Sequence, residues 1–287
     1  MNWENLRSDE MAAAIEKSGG LCIIPIGCTE KHGPHEPLGT DYFEAKEAVE
    51  RAAEMEDVVV FPTGFWLGDM VGVHGHPRGA EINHGTIALN PHTLLTILEE
   101  LCDEIARNGF RKILLVNSHG GNTSTLSFFL RAQGYKNKNY ATMLVPKLHN
   151  RKTLCDTLLD NRESFPMLTE EDIKVLEHYR ETSFGGGHAD FVETARVMAN
   201  HPELIAEDRY EVESGLSTHR CDHLTELGVS LTRSWAANYP NAFCGFAPHG
   251  CSQTIGQAIV ENSARELAHI FKVLKEDEEC VNIATGK

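Results

Sequence analysis

The sequence predicts an α/β fold, with a mostly parallel sheet covered by helices on both faces. The first sign is a pair of continuously apolar runs, L-C-I-I-P-I at Leu21–Ile26 and K-I-L-L-V at Lys112–Val116, which read as strands buried on both sides. The second is their alternation with segments of helical period, the order expected of parallel strands joined by crossover helices. The third is size: 287 residues, 41% apolar and 24% charged, can bury a sizeable core. No internal repeat, low-complexity tract or linker divides the chain, so residues 1–287 are expected to form one domain.

Each element has its own signature. Leu21–Ile26 opens the pattern and Gly27 ends it. Asp41–Met55 has helical period, with Asp41 expected at the N-cap and Glu44 three residues on in a capping-box arrangement. Val58–Phe61 is a second strand. The Gly- and His-rich stretch that follows shows no element, and loops of that length usually serve function or are disordered. Asn90 caps and Pro91 starts the clearest helix, with Leu94, Leu98, Leu101 and Ile105 on one stripe and an end near Gly109. Lys112–Val116 leads through N-S-H-G-G-N to a helix over about Thr123–Gln133, and Ala141–Val145 is a further strand. Residues 150–182 lean helical. Gly185–Gly187 lead into a helix over about Ala189–Met198, residues 208–250 read as irregular, and a helix over Ser252–Lys275 closes the pattern.

Acidic residues outnumber basic ones 42 to 26, a net charge of −16, which argues against nucleic acid or an anionic membrane as the main partner. No apolar run approaches the ~20 residues that span a bilayer. The start, M-N-W-E-N-L-R-S-D-E, lacks the basic and apolar regions of a signal peptide. Eight cysteines lie singly with no C-x-x-C pair, the pattern of reduced thiols in a cytoplasmic protein. A small molecule is the expected partner.

The chemistry is concentrated in three places, all rich in histidine. In E-K-H-G-P-H-E-P-L-G-T-D, Glu30 and His32 leave a strand two residues apart, so their side chains can share one side. The carboxyl ends of parallel strands are where ligands collect. Asp41 can fold back to meet them, and a carboxylate with two free oxygens can bridge two cations. In N-S-H-G-G-N, His119 leaves the second buried strand in the same way; Gly120 and Gly121 permit close backbone approach, and no phosphate-loop pattern follows. In G-G-G-H-A-D-F-V-E-T-A, His188 stands at a helix N-terminus, with Asp190 and Glu193 expected on one helix face. Glu30, His32, Asp41, His119 and Glu193 make a mixed nitrogen–oxygen set suited to Zn²⁺ or Mn²⁺, without the thiolates of a structural zinc. The competing readings are structural: a capping Asp41, an incidental His119 in a tight turn, a capping Asp190 beside a solvated Glu193. Elsewhere, His74 and His76 read as surface loop, and His219, Cys221 and His223 match no zinc spacing. Cys28 reads as a small buried residue at a strand end rather than a nucleophile. Trp66, Phe184, Trp235 and Phe243 read as core.

Taken together, P-I-G-C-T-E-K-H-G-P-H-E-P-L-G-T-D, L-L-V-N-S-H-G-G-N and G-H-A-D-F-V-E-T resemble, in order, three motifs of the creatininase (creatinine amidohydrolase) family. The resemblance runs from about residue 15 to 200. It implies an α/β/α sandwich, a homo-oligomer that is often a hexamer, and one or two divalent metals, Zn²⁺ and/or Mn²⁺ with Fe²⁺ also open. By position it implies that Glu30, His32, Asp41 and His119 are metal ligands, with Asp41 as the bridge. Glu193 would complete the second site and join His188, the proton-handling residue, in catalysis. The implied reaction is the opening of a small cyclic amide by a metal-bound hydroxide. Opening of a keto-inositol by C–C hydrolysis, of the 3-dehydro-scyllo-inosose hydrolase type, is the alternative, and a non-enzymatic metal-binding scaffold is a third reading. The chain departs from the pattern. Gly121 stands where creatininase itself carries a metal-binding Glu, Asp190 where Gly is usual, and Glu36 where an apolar residue is usual. The tryptophans that sandwich creatinine have no counterpart between residues 150 and 187. Glu36, Gly120, Gly121, Asn122 and Asp190 are therefore the expected substrate contacts.

Overall fold

The computed structural model describes residues 1–62, 68, 85–148, 151–182 and 187–287, with the backbone alone at 151 and 152. His74, His76, Trp66, Phe184 and Gly185 lie outside the described residues. Four strands, β1 (Leu21–Ile26), β2 (Val59–Val60), β3 (Lys112–Asn117) and β4 (Ala141–Val145), form a parallel sheet in the order β2-β1-β3-β4. The helices preceding β3 are α1 (Met11–Lys17), α2 (Thr40–Met55) and α3 (Pro91–Arg107). Beyond it come α4 (Asn122–Gln133), α5 (Arg151–Asp160), α6 (Glu170–Glu181) and α7 (Phe191–Asn200). The short α8 (Asp222–Thr225) and α9 (Ser234–Asn238) precede the long α10 (Gln253–Glu276) and α11 (Glu279–Thr285).

Strand alternation divides the core into two layers. Cys22, Ile24, Ile26, Ile113 and Leu115 face Leu94, Leu98 and Ile105 of α3 and Leu126 and Phe129 of α4. Leu21, Ile23, Leu114 and Val116 face Ala48, Val49 and Ala52 of α2 and Ala264, Leu267 and Phe271 of α10. The result is the expected α/β/α sandwich. A further cluster packs α7 against α5, α6 and α10 through Phe191, Leu158, Leu176 and Ile255. α7 is also locked to α2 by a buried ion pair, Arg196 Nη1 to Glu44 Oε2 at 3.3 Å, and to α10 by Arg196 Nη2 to Ser263 Oγ at 2.8 Å.

The strand order matters for function. The connection after β1 leads to β2 on one side, and that after β3 leads to β4 on the other. Between the carboxyl ends of β1 and β3 the chain therefore parts, leaving the crevice where α/β sheets bind ligands.

Several local expectations are corrected. The second strand is shorter than Val58–Phe61: its residues in register with β1 are Val59 and Val60, with the Phe61 N–H still donating to the Ile23 carbonyl at 2.8 Å. The cap of α2 is Gly39, so Asp41 lies within the first turn, its carboxylate turned to other partners. The helix expected to start at Ala189 starts at Phe191. Asp190 is its N-cap, accepting from the N–H groups of Val192 (3.1 Å) and Glu193 (3.3 Å), and so does not share a helix face with Glu193. Residues 150–182 supply two helices, the second begun by a Thr169–Asp172 capping box. All eight cysteines are free thiols. Among the described residues no helix is long and apolar enough to cross a membrane.

Candidate metal centre

The site is built where α2 meets the end of β1. A Cβ added to Gly27 would lie 2.5 Å from Asp41 C and Tyr42 N, so only glycine lets the first turn of α2 come this close to the strand. Ser118, just past β3, secures the junction: its hydroxyl is within reach of the carbonyls of Ile26 (3.2 Å) and Asp41. The loop carrying His119 is pinned by side-chain amides. Asn117 Nδ2 donates to the His119 carbonyl at 2.7 Å, and Asn122 Nδ2 donates to Asn117 Oδ1 at 3.2 Å.

Asp41 sits at the centre. Its Oδ2 is 2.9 Å from His119 Nδ1 and 2.9 Å from Cys28 Sγ, and its Oδ1 is 3.5 Å from His32 Nε2. Glu30 Oε1 lies 3.0 Å from His119 Nδ1, and Glu193 Oε2 lies 3.7 Å from His32 Nε2. Two donor groups thus share Asp41: Cys28, Glu30, Asp41 and His119 form one, and His32, Asp41 and Glu193 the other. Within each group the donor atoms lie within 4.8 Å of one another. All these residues are buried.

The hydrogen bonds around the cluster fix its orientation. His32 Nδ1 is 3.1 Å from the Glu30 carbonyl, which can only accept, so the hydrogen is on Nδ1 and Nε2 faces the carboxylates. By the same reasoning His188 donates through Nε2 to the Lys31 carbonyl at 2.8 Å. Its Nδ1 then faces Glu30 Oε1 at 3.7 Å and Glu193 Oε2 at 3.8 Å. The His188 backbone is clamped to Cys244 by reciprocal bonds of 2.8 Å, and its ring lies against His32, tilted by 33° with centroids 4.1 Å apart. Glu193 is held by the Ala189 N–H at 2.6 Å. Ala189 adopts a left-handed φ of 57°, a strain of roughly 1–2 kcal/mol that its neighbours must offset. His35 helps by donating to its carbonyl at 3.1 Å.

The charges are mutually dependent. Burial works against a charge on His32, but Asp41, Glu193 and Glu30 outweigh it and hold the imidazole well above its usual range. Burial likewise opposes charge on His119, and Cys28, Glu30 and Asp41 reverse it. Burial would raise the Asp41 carboxyl, yet His119 and His32 hold it well below the usual carboxylate range. Burial, reinforced by Asp41, pushes the Cys28 thiol up. Three carboxylates packed this closely require compensating positive charge. Glu30 Oε1 and His32 Nε2 are buried and face the shared space, where they meet other members of the cluster, His119 Nδ1 at 3.0 Å and Asp41 Oδ1 at 3.5 Å. Converging donors of this kind, in a nitrogen–oxygen–sulfur set within 4.8 Å, fit Zn²⁺ or Mn²⁺.

Other candidates fall outside the cluster. The Glu36 side chain is fully buried; Thr194 Oγ1 donates to its Oε1 at 2.5 Å, and burial pushes its carboxyl well above the ordinary value. The Asp190 carboxylate is engaged in capping α7 and in binding the Gly187 N–H. Gly120 is exposed, Gly121 half-buried, and Asn122 buried as a loop anchor. His219 pairs with Asp222 at the surface, at 2.6 Å. Phe243 is core, packed on His35, but Trp235 is half-buried and edge-on to His188 at 5.4 Å. Two neighbours of the centre were thus missed. Cys28 carried a signal, since the alternation that groups Glu30 with His32 also includes residue 28. Trp235 carried none, because no periodicity marks residues 208–250.

A three-layer sandwich with carboxylates and imidazoles gathered at its switch point defines an α/β protein with a candidate metal centre. A family model for creatininase, described as creatinine amidohydrolase, matches residues 4–271, and the chain belongs to the creatininase family of hydrolases. A 3-dehydro-scyllo-inosose hydrolase of Thermotoga maritima is 34% identical over 104 residues, 36% of this chain and 31% of that protein. The creatinine amidohydrolase of Pseudomonas putida is 28% identical over 116 residues, 40% and 43% of the two chains. A mycofactocin precursor peptide peptidase of Mycobacterium tuberculosis is 34% identical over 121 residues, 39% and 46%. The chain therefore spans less than half the length of these relatives. Among solved structures, a creatininase variant of Zn-Zn type superposes with a TM-score of 0.69 at 19% identity, over 96% of this chain and 98% of that one. A manganese form of creatininase gives 0.68 at 18% identity, over 96% and 99%. At that identity the likeness shows the fold.

Proposed function

We propose that this chain is a metal-dependent hydrolase that opens a small cyclic substrate by cleaving an amide C–N bond. The observation that carries the proposal is Asp41, shared between two donor groups at the carboxyl ends of β1 and β3. Glu30, Asp41 and His119 would hold one divalent ion, and His32, Asp41 and Glu193 a second, Zn²⁺ and/or Mn²⁺. Such an ion supplies Lewis acidity and lowers the pKa of a bound water toward about 7. The chain does the rest. His188, its Nε2 hydrogen tied to Lys31, uses Nδ1 to move a proton at the leaving group. Glu193, fixed by the Ala189 N–H, orients beside it. The N–H groups of Gly120 and Gly121 meet the developing oxyanion. Trp235 walls the approach to His188.

A second reading, hydrolytic C–C opening of a keto-inositol, is favoured by the Thermotoga maritima relative and by Gly121 in place of a ligand carboxylate. The test is incubation of Zn²⁺- and Mn²⁺-loaded protein with creatinine, small lactams, formamides, a linear peptide amide and keto-inositols. Turnover of a cyclic amide is expected, and it should vanish together with the metal in Asp41→Asn and His119→Ala. Turnover of the keto-inositol alone selects the second reading. A folded Asp41→Asn protein with full metal and activity would sink both. The protein is further proposed to work in the cytoplasm as a homo-oligomer, with a hexamer favoured. Exposed Val212, Leu216, Leu227 and Val229 supply apolar surface for association, which sedimentation would test.

A further inference from the structure

We propose that Cys28 supplies a sulfur ligand to the Glu30–Asp41–His119 position, so that the two halves of the centre differ in softness and take different ions. The inference rests on the metal-centre reading above and deepens it. Cys28 is fully buried, with its Sγ 2.9 Å from Asp41 Oδ2 and within the same 4.8 Å group as the donors of Glu30 and His119. Gly68 packs closely on it, since a Cβ added there would lie 2.2 Å from Cys28 Cβ. The sulfur points to the side where the carboxylates and His119 converge.

The other half, His32, Asp41 and Glu193, contains no sulfur among the described residues. Thiolate favours borderline-soft Zn²⁺, whereas carboxylate and imidazole alone accept Mn²⁺ well. A divalent ion takes cysteine sulfur as the thiolate. The position holding Cys28 is thus assigned to Zn²⁺, and the position holding Glu193 to the harder ion. The rival account is that the thiol only donates a hydrogen bond to Asp41.

Cobalt substitution separates the two. Protein loaded with Co²⁺ should show a thiolate-to-cobalt charge-transfer band in the near ultraviolet. Cys28→Ser should lose the band while still binding Co²⁺, and Cys22→Ser, in the apolar core, should keep it. Zn²⁺ affinity of Cys28→Ser should fall on the order of tenfold or more, with Mn²⁺ affinity changed by less than about threefold. X-ray absorption at the zinc edge of the unmodified protein needs no variant and should show a sulfur neighbour at about 2.3 Å. Stoichiometric metal with no band and no sulfur neighbour overturns the role of Cys28 and leaves the metal centre standing. A band that persists in Cys28→Ser does the same. Protein that takes up no Co²⁺, Zn²⁺ or Mn²⁺ overturns the metal centre itself, and this inference with it.

Discussion

Replacing Gly27 with alanine would separate the two elements that create the centre. The new methyl group would lie 2.5 Å from Asp41 C and Tyr42 N and 2.7 Å from Asp41 O, all backbone atoms that cannot swing aside. Ordinary contact begins at 3.4 Å, so the first turn of α2 must retreat by about 1 Å. Asp41 Oδ2 now stands 2.9 Å from His119 Nδ1 and 2.9 Å from Cys28 Sγ. Such a retreat lengthens both contacts to about 3.9 Å, beyond hydrogen-bond range for the imidazole. Overpacking typically costs about 1–3 kcal/mol, and the upper end applies where the clash is with backbone. For a chain of this size that is a fall of roughly 6–12 °C in melting temperature. Zn²⁺ affinity, read by competition with a chelator, should drop about 100-fold. Gly120→Ala is the matched control, because a Cβ there meets nothing within 4 Å, and its melting temperature should not move. A Gly27→Ala protein with native melting temperature and native Zn²⁺ affinity would refute this account of how the centre is assembled.

Three further outcomes are expected. Arg196→Met removes the guanidinium paired with the buried Glu44 carboxylate between α2 and α7 and should cost about 3–5 kcal/mol in urea unfolding, much of it recovered in Arg196→Met/Glu44→Leu. His35, depressed to about 4 by burial, is neutral in the fold and titrates near 6.5 when unfolded, so its contribution is complete above about pH 6.5 and is lost as pH falls toward 4. That part of the acid destabilisation, at most about 3 kcal/mol, should be missing in His35→Gln, and denaturation curves between pH 7 and 4.5 would reveal equal slopes if the reasoning is wrong. His188→Gln should retain bound metal while turnover falls about 10²- to 10⁴-fold; unchanged turnover would remove His188 from the proton transfer.

What could be read in advance follows physical lines. β1 and β3 were legible because both their faces are buried, which leaves uninterrupted apolar runs, and α3 because Leu94, Leu98 and Ile105 make one stripe over seventeen residues. Four ligand candidates were legible for a related reason: strand ends and helix starts are local features, and local features fix where Glu30, His32, Asp41 and His119 point. Asp41 was nevertheless misplaced as a cap. Helix starts favour aspartate both at the N-cap and in the first turn, and the choice between them here is made by the close packing at Gly27. Asp190 shows the reverse, since capping accounts for its carboxylate without any substrate. Cys28 was passed over because a lone cysteine at a buried strand end is usually core. Trp235 and Phe243 reach the site region through tertiary contacts such as the Cys244–His188 bridge, which leave no trace in local pattern.

The sequence positions of the donors carry a consequence in time. Cys28, Glu30, His32 and Asp41 leave the ribosome early, His119 follows β3, and Glu193 arrives only with α7. Chains are synthesised from the N-terminus at roughly 5–20 residues per second, so the first carboxylates wait about 8–30 seconds for the last. Completing the centre closes a loop of more than half the chain, a contact of long sequence separation and hence a slow one. The finished carboxylate–imidazole cluster is in this sense a proofreading mark. It can exist only in a chain whose sheet has formed and whose α7 has docked on α2, and a metal held there would close the chain much as a cross-link does.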